Sequence, residues 1–290
     1  MKILVTGANG QLGTEINLRT SQYANWEFFF CDVKDLDITN LNAVEVYVQQ
    51  KQITAIINCA AYTAVDSAES NKEVAYAVNV TGAKNLAIVA ATYNLRYVHT
   101  STDFVFDGIY HLPYKETDLP NPLSVYGDTK YIGEQEVLKA HASAIIIRTA
   151  WLYSAHGGNF VKTMQRLGKE REQLGVIFDQ VGTPTWAGDV AIAILEILRQ
   201  LEKEGKQVGL YHYSNEGLAS WYDFAVEIME LSEIKCKVLP IETKEYPTPA
   251  ARPAYSVLNK GKIKEDFEFE IPHWKASLKK CIFAIEAQNK

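Results

Sequence analysis

Tyr126 and Lys130 stand one helical turn apart in a helix-patterned run at 125–141, so both project from the same face. A phenol, with an ordinary pKa near about 10, is a ready proton donor to an alkoxide forming from a carbonyl. A neighbouring ammonium favours the phenolate and is expected to bring that pKa down, toward neutral operation. Lys130 can at the same time hold the ribose of a nicotinamide nucleotide. Thr102 follows a strand-like run in Ser101-Thr102-Asp103, and its hydroxyl can bind the carbonyl oxygen and steady the charge forming there. The trio suits carbonyl reduction by hydride, with Tyr126 supplying the proton. A Tyr-x-x-x-Lys pair is common on exposed helices, so its meaning depends on what the chain places beside it.

The chain opens with an apolar run, Ile3-Leu4-Val5. Thr6-Gly7-Ala8-Asn9-Gly10-Gln11-Leu12-Gly13 follows, and a helical pattern covers 11–19. In a strand–turn–helix of this kind Gly7 permits the sharp turn, Gly10 lets backbone approach a pyrophosphate, and Gly13 lets the helix pack on the strand. The anion would meet free N–H groups and the positive end of the helix dipole. Asp32 follows the second strand run, 27–31, where an acid can accept hydrogen bonds from the adenosine ribose and so favours NAD. Lys34 could instead meet a 2′-phosphate, and the choice stays open. Asp37 and Ile38 come next, as flanks for the adenine. A third run, 55–58, leads into Cys59-Ala60-Ala61-Tyr62-Thr63, small residues against which a flat cofactor can lie.

These groups need a scaffold that brings the ends of several strands together. Strand-like runs at 97–100 and 144–147 complete a set of five, alternating with helical patterns at 11–19, 41–50, 74–93 and 125–141. The alternation predicts an α/β fold: a doubly wound parallel sheet of the Rossmann type with a smaller α/β C-terminal substrate domain. Residues 1–150 form the dinucleotide-binding domain, with 176–205 added to it; 151–175 and 206–290 are mainly substrate-binding. The second half reads as a loop at 155–158, helices at 160–168, 187 to about 203 and 221–231, and strands at 176–178, 209–213 and 237–241. Pro240, Pro247, Pro249 and Pro253 mark an extended loop lying over a site or against another layer.

Composition narrows the partners. A net charge of -6, from 29 Lys and Arg against 35 Asp and Glu, gives no reason to expect nucleic acid or an anionic membrane. Local features such as helix N-termini must therefore hold any anionic ligand. Cys31, Cys59, Cys236 and Cys281 form no Cys-x-x-Cys pair and read as free thiols. No basic–apolar signal segment precedes the first strand, and no apolar run approaches the roughly 20 residues of a membrane span. A reducing cytoplasm is the expected compartment.

Together the motifs resemble the extended short-chain dehydrogenase/reductases, and within them the dTDP-4-dehydrorhamnose reductase family. The likeness runs from Lys2 to about Leu258. It passes through Asn58-Cys59-Ala60-Ala61-Tyr62-Thr63-Ala64-Val65-Asp66, Ser101-Thr102-Asp103-Phe104-Val105-Phe106-Asp107-Gly108 and Arg148-Thr149-Ala150-Trp151-Leu152-Tyr153. It continues in Asn159-Phe160-Val161-Lys162-Thr163-Met164, Asp179-Gln180-Val181-Gly182-Thr183-Pro184-Thr185 and Arg252-Pro253-Ala254-Tyr255-Ser256. The resemblance implies reduction of the C4 ketone of dTDP-4-dehydro-L-rhamnose by NADPH or NADH. Cofactor contacts then fall on Gly10, Gln11, Leu12, Asp32, Asp37, Ile38, Ala61, Tyr62, Thr63 and Thr100, with Tyr126 and Lys130. Gly7 and Gly13 join them from the glycine turn. Substrate contacts fall on Thr102, Asp103 and Trp151, and Arg252 is a candidate for the diphosphate by charge. The partner implied is a dTDP-sugar, and a homodimer is allowed for.

Two departures stand out. Phe104 occupies a place where the family more often has Tyr. Some relatives dimerise around carboxylate-held magnesium, for which Glu15 is available; the matching second position falls on Gly188, so no metal is expected. Other readings remain beside the reductase. An epimerase of the same fold uses the same Tyr/Lys pair but recycles its cofactor, where a reductase consumes it. A dehydratase needs an acid pair after the threonine, and the Phe104 ring cannot be that base. A non-catalytic regulatory subunit, as in the related β subunit of methionine adenosyltransferase, binds dinucleotide without an assigned reduction.

Overall fold

The computed structural model describes residues 1–202 and 208–288. Its strands, in chain order, are β1 (Lys2–Thr6), β2 (Glu27–Cys31), β3 (Ala55–Asn58), β4 (Arg96–Thr102), β5 (Ile145–Thr149) and β6 (Leu152–Tyr153). They continue as β7 (Gln173–Ile177), β8 (Val181–Gly182), β9 (Thr185–Trp186), β10 (Gly209–His212), β11 (Ala219–Ser220) and β12 (Lys237–Ile241). The helices are α1 (Gln11–Asn17), α2 (Leu41–Lys51), α3 (Val65–Ala68), α4 (Lys72–Tyr76), α5 (Ala83–Thr92) and α6 (Val125–Ala140). After them come α7 (Phe160–Glu170), α8 (Ala187–Leu201), α9 (Trp221–Leu231), α10 (Gly261–Phe267) and α11 (Trp274–Gln288).

Six strands form one parallel sheet in the order β10-β5-β4-β3-β1-β2. The period-2 alternation of a strand sends Val5, Ile57, Val98 and Ile147 to the face covered by α1 and α8, and Leu4, Ile56, Tyr97 and Ile146 to the face covered by α2, α5 and α6. Both faces are buried, which is why the strands read as continuous apolar runs. Strand order reverses beside β1, and in a doubly wound sheet the crevice at that switch point is where ligands sit.

A second core lies beyond β5. There Val161 and Met164 of α7, Phe224 and Ile228 of α9, and Trp274, Leu278 and Ile282 of α11 pack against Leu174 and Val176 of β7. Three two-stranded ribbons frame it: β12 with β7, β11 with β8, and β6 with β9. The Pro-rich segment runs along β8, with Val181 N–H donating to the Ala254 carbonyl and Ser256 N–H to the Val181 carbonyl, each at 2.8 Å.

The structure adds α10 and α11, which the sequence reading did not foresee, and three further points differ from it or refine it. β10 falls within the stretch read as mainly substrate-binding, yet it is the sixth strand of the main sheet, paired to β5. A run as short as Gly-Leu-Tyr-His carries no signal of which sheet it will join. The helix read as 187 to about 203 is α8, ending at Leu201; residue 203 lies outside the described residues. Finally, α4, a π-helical turn at Ala77–Gly82 and α5 run on as a 21-residue helix, Lys72–Thr92, long and apolar enough to pass the length and composition test for a membrane span. Its Ala83, Leu86, Ala87, Val89 and Ala90 are buried in the core on the sheet, which accounts for the apolarity.

Candidate active site

A cleft of about 930 Å³ opens at the carboxyl ends of the central strands, inside the ordinary range for small-molecule sites. The turn after β1 forms one wall. Gly7 has φ 67°, and a Cβ there would lie 2.6 Å from the Ala60 amide nitrogen, so only glycine lets this turn lie on the β3 loop. The residue that starts α1, Gly10, supplies no side-chain cap, leaving the helix's first N–H groups unclaimed by one. Those groups fit a pyrophosphate by the dipole argument. Of the glycines in the turn, Gly13 does not line the cleft. A Cβ on it would lie 2.5 Å from the Gly7 carbonyl oxygen, so it packs the helix on the turn from beneath.

Asp32 lines the cleft beside β2 with both oxygens engaged. Asn9 N–H donates to Oδ2 at 3.1 Å and Val33 N–H to Oδ1 at 2.8 Å. Lys34 is exposed and does not line it; among the lining residues the lysine and arginine are Lys130 and Arg252. Asp37 and Ile38 also line the cleft, Asp37 by holding Thr39 N–H at 2.9 Å in a tight turn. Ala61, Tyr62 and Thr63 continue the floor. Asn79, a residue of the π-helical turn, clamps them: its Oδ1 accepts from Tyr62 N–H at 2.8 Å, and its Nδ2 donates to the Tyr62 carbonyl and to Thr129 Oγ1. Sequence reasoning missed Asn79, although a polar residue inside the apolar helix pattern was the available signal. It likewise passed over the Asn58 side chain, whose Oδ1 accepts from Thr6 Oγ1 at 2.7 Å and from Ala60 N–H at 3.0 Å, tying β1 to the floor.

The reactive end is built where β4 meets α6. Ser124 caps α6, its Oγ accepting from Gly127 N–H at 3.2 Å. A Cβ on Gly127 would overlap the Phe104 carbonyl oxygen, so glycine here lets the first turn of α6 press against the end of β4. That contact brings Tyr126 beside Thr102, Asp103 and Phe104, with the Phe104 and Tyr126 rings 5.5 Å apart edge to face. Thr102 Oγ1 donates to Asp103 Oδ1 at 3.0 Å and accepts from Phe104 N–H at 3.2 Å. Asp103 is buried, and burial pushes its carboxyl up to about 6 against hydrogen bonding from Ser256 and Thr102, which favours the carboxylate.

One electrostatic expectation is overturned. Burial pushes the Tyr126 phenol up to about 12; the Thr102 hydroxyl beside it opposes the rise and the Asp103 charge adds to it. Lys130 does not pull it down. Its Nζ donates to the Thr100 carbonyl at 2.7 Å, and burial brings the amine down to about 8 against the charge of Glu134, which favours the ammonium. Desolvation therefore sets the direction of the Tyr126 shift, and no charge of Lys130 enters it. Tyr126 is neutral at ordinary pH, which is the form that gives a proton away.

Trp151 and Arg252 also line the cleft. Trp151 has φ 45° and stacks on Trp221, a cleft residue with no earlier warning in the sequence. Arg252 makes a two-point contact with Asp66, Nη1 to Oδ1 at 3.0 Å and Nη2 to Oδ2 at 2.8 Å, and so ties the Pro-rich segment to α3. The loop Gly157–Asn159 joins the wall as well, with Asn159 Nδ2 donating to Gln11 Oε1 at 2.9 Å. Glu15 lies away from the cleft. Its carboxylate is held at 2.6 Å by Arg19, whose guanidinium fills the space over Trp186 that a side chain at Gly188 would need.

With this geometry in hand, comparison with known proteins is direct. The family model for the RmlD substrate binding domain matches residues 1–286. A dTDP-4-dehydrorhamnose reductase of Aggregatibacter actinomycetemcomitans is 42% identical over 286 residues, covering 96% of this chain and 97% of that protein. The crystal structure of a dTDP-4-dehydrorhamnose reductase from Clostridium acetobutylicum superposes with a TM-score of 0.93 at 46% identity, covering 99% of this chain and 100% of the other. That of the Bacillus anthracis reductase, solved in complex with NADP, gives a TM-score of 0.93 at 39% identity, covering 98% and 99%. The chain belongs to the dTDP-4-dehydrorhamnose reductase family.

Proposed function

We propose that this protein reduces the C4 ketone of dTDP-4-dehydro-L-rhamnose at the expense of NADPH or NADH, giving dTDP-L-rhamnose. The observation that carries the reading is the Tyr126 phenol beside the Thr102 hydroxyl, at the end of a cleft whose other wall is the glycine turn. The bound dinucleotide supplies the hydride. Thr102 holds the ketone oxygen, and Tyr126 delivers the proton that turns it into a hydroxyl. Lys130, fixed on the Thr100 carbonyl, holds the nicotinamide ribose and supplies a positive charge as the phenol loses its proton.

Gly7, Gly10, Gln11 and Leu12 would receive the pyrophosphate, and Asp32, Asp37 and Ile38 the adenosine. Ala61, Tyr62, Thr63 and Thr100 would line the nicotinamide half. Asp103 and Trp151 would contact the sugar, and Arg252 the diphosphate. The main sheet with α8 serves the cofactor, and the second core with the Pro-rich segment serves the substrate. Four free cysteines suit a reducing cytoplasm. Phe104 argues against elimination, because the residue after Thr102-Asp103 has no group able to take a proton.

The test is loss of reduced-cofactor absorbance on adding dTDP-4-dehydro-L-rhamnose, with NADH and NADPH in parallel. One cofactor oxidised per sugar converted is expected. Sugar conversion without net cofactor loss would mean an epimerase instead, and no change in either would leave a non-catalytic binding protein.

A further inference from the structure

Trp151 follows β5 in a left-handed backbone conformation, φ 45°, that a bulky side chain rarely adopts. Its indole lies in a slot. On one face it stacks on Trp221, with centroids 3.5 Å apart and planes 5° from parallel. Against the ring lies Gly182, where an added Cβ would sit 2.5 Å from Trp151 Cε2 and 2.6 Å from Nε1. The two jaws belong to one piece of structure. β8 pairs antiparallel with β11, Gly182 opposite Ala219, and Trp221 opens α9 directly after Ser220. Ser220 and Asp223 fix that opening by capping each other's backbone N–H groups. The Trp151 carbonyl accepts from Thr185 N–H at 3.1 Å, so the segment after β8 holds its backbone as well.

An indole closed in this way has no free face on which a sugar or base can stack. What it offers the cleft is its rim. The polar atom on that rim is Nε1–H, a donor only. We infer that Trp221, together with Gly182, is a positioning residue that holds Trp151 edge-on to the cleft, so that the indole N–H donates to an oxygen of the sugar nucleotide. This rests on the reductase reading of the cleft. The acceptor is a hydroxyl, carbonyl or phosphate oxygen of the substrate, and Trp221 acts on it only through Trp151.

The experiment measures KM for dTDP-4-dehydro-L-rhamnose, kcat and the Kd for NADPH in five proteins: wild type, Trp151→Phe, Trp221→Leu, Trp221→Phe and the double variant Trp151→Phe/Trp221→Leu. Near-UV circular dichroism of each reports the coupling between the stacked indoles. Trp151→Phe keeps an aromatic ring and removes one hydrogen bond, so KM for the sugar rises roughly tenfold, kcat changes little and the NADPH Kd is unmoved. Trp221→Leu is expected to do the same and to abolish the indole couplet. The double variant should be no worse than either single one, because both remove the same contact. Trp221→Phe, which keeps a ring in the slot, recovers most of the loss.

Wild-type KM in Trp151→Phe overturns the inference. So does a Trp221→Leu protein whose NADPH Kd and sugar KM worsen together, or a double variant whose loss is the product of the two, since each marks a general structural role. In all three cases wild-type turnover stands and with it the reductase reading. A wild-type protein that leaves the sugar unconverted removes both.

Discussion

Replacing Glu134 by Leu strands a buried charge, and the structure says how much that should cost. Glu134 and Arg148 are each 1% exposed and meet in a forked pair, Nε to Oε1 at 2.9 Å and Nη2 to Oε2 at 2.6 Å. Glu116, a carboxylate near enough to feel Arg148, already accepts from His212 N–H at 3.0 Å, and the other neighbours are uncharged. His212 Nε2 is 3.5 Å from Nη1, on an imidazole that burial and Arg148 together keep uncharged, and the Phe106 ring lies 5.1 Å from the guanidinium. Removing one partner of such a pair costs about 3–5 kcal/mol, a large part of the roughly 5–15 kcal/mol that holds a domain folded. At about 2–4 °C per kcal/mol for chains of this order, the melting temperature should fall by roughly 6–20 °C. The pair as a whole need not be stabilising, because desolvation offsets most of its attraction. Glu134→Leu with Arg148→Met should therefore recover most of the loss. Urea unfolding of the wild type, both single variants and the double variant measures each term. A Glu134→Leu cost below about 1 kcal/mol, or a double variant less stable than either single one, would refute the reasoning.

Two further outcomes follow from packing and from buried groups. Gly13→Ala forces a methyl into the Gly7 carbonyl and the Ala8 backbone, so it should lower stability by about 1–3 kcal/mol; Gly158→Ala, with nothing within 4 Å of the added carbon, should be nearly neutral in the same melt. Stability should also fall on acidification below about pH 6.5, because His99 and His212 are buried neutral and take up protons only on unfolding. Asp103, raised to about 6, and Glu116, also raised by burial, bind their protons more readily in the folded state and oppose this over part of the range, without the large shifts that hold both histidines neutral. A urea midpoint that is flat or rises between pH 6.5 and pH 4 contradicts that assignment.

Much of the cofactor half was legible because local sequence signals and tertiary placement agree there. A glycine turn between a strand and a helix has one common use, and the apolar runs on both sides fix a two-faced sheet, so Gly7, Gly10, Asp32 and Ala61 could be placed without coordinates. Tyr126 and Lys130 were legible as a pair because helical spacing alone puts them on one face. The sign of their electrostatics was not. It depends on how deeply the phenol is buried and on the Thr100 carbonyl taking the ammonium, neither of which spacing encodes. Asn79 and Glu134 were missed for related reasons: a lone polar residue in an apolar helix pattern, or one glutamate among several on a polar helix, looks like noise until its buried partner, Tyr62 or Arg148, is known. The second core was the least legible. Its ribbons are mostly two residues long, too short to show a period, and Trp221 meets Trp151 only through long-range pairing of β8 with β11.

The most direct measurement of the central claim is single-turnover reduction of dTDP-4-dehydro-L-rhamnose by Tyr126→Phe loaded with NADPH. The variant keeps the ring against Phe104 and loses only the phenolic proton. Its rate should fall by a factor of roughly 10²–10⁴ while its NADPH Kd stays within about twofold of wild type. Reduction at the wild-type rate would contradict the account, because the proton would then be coming from another group.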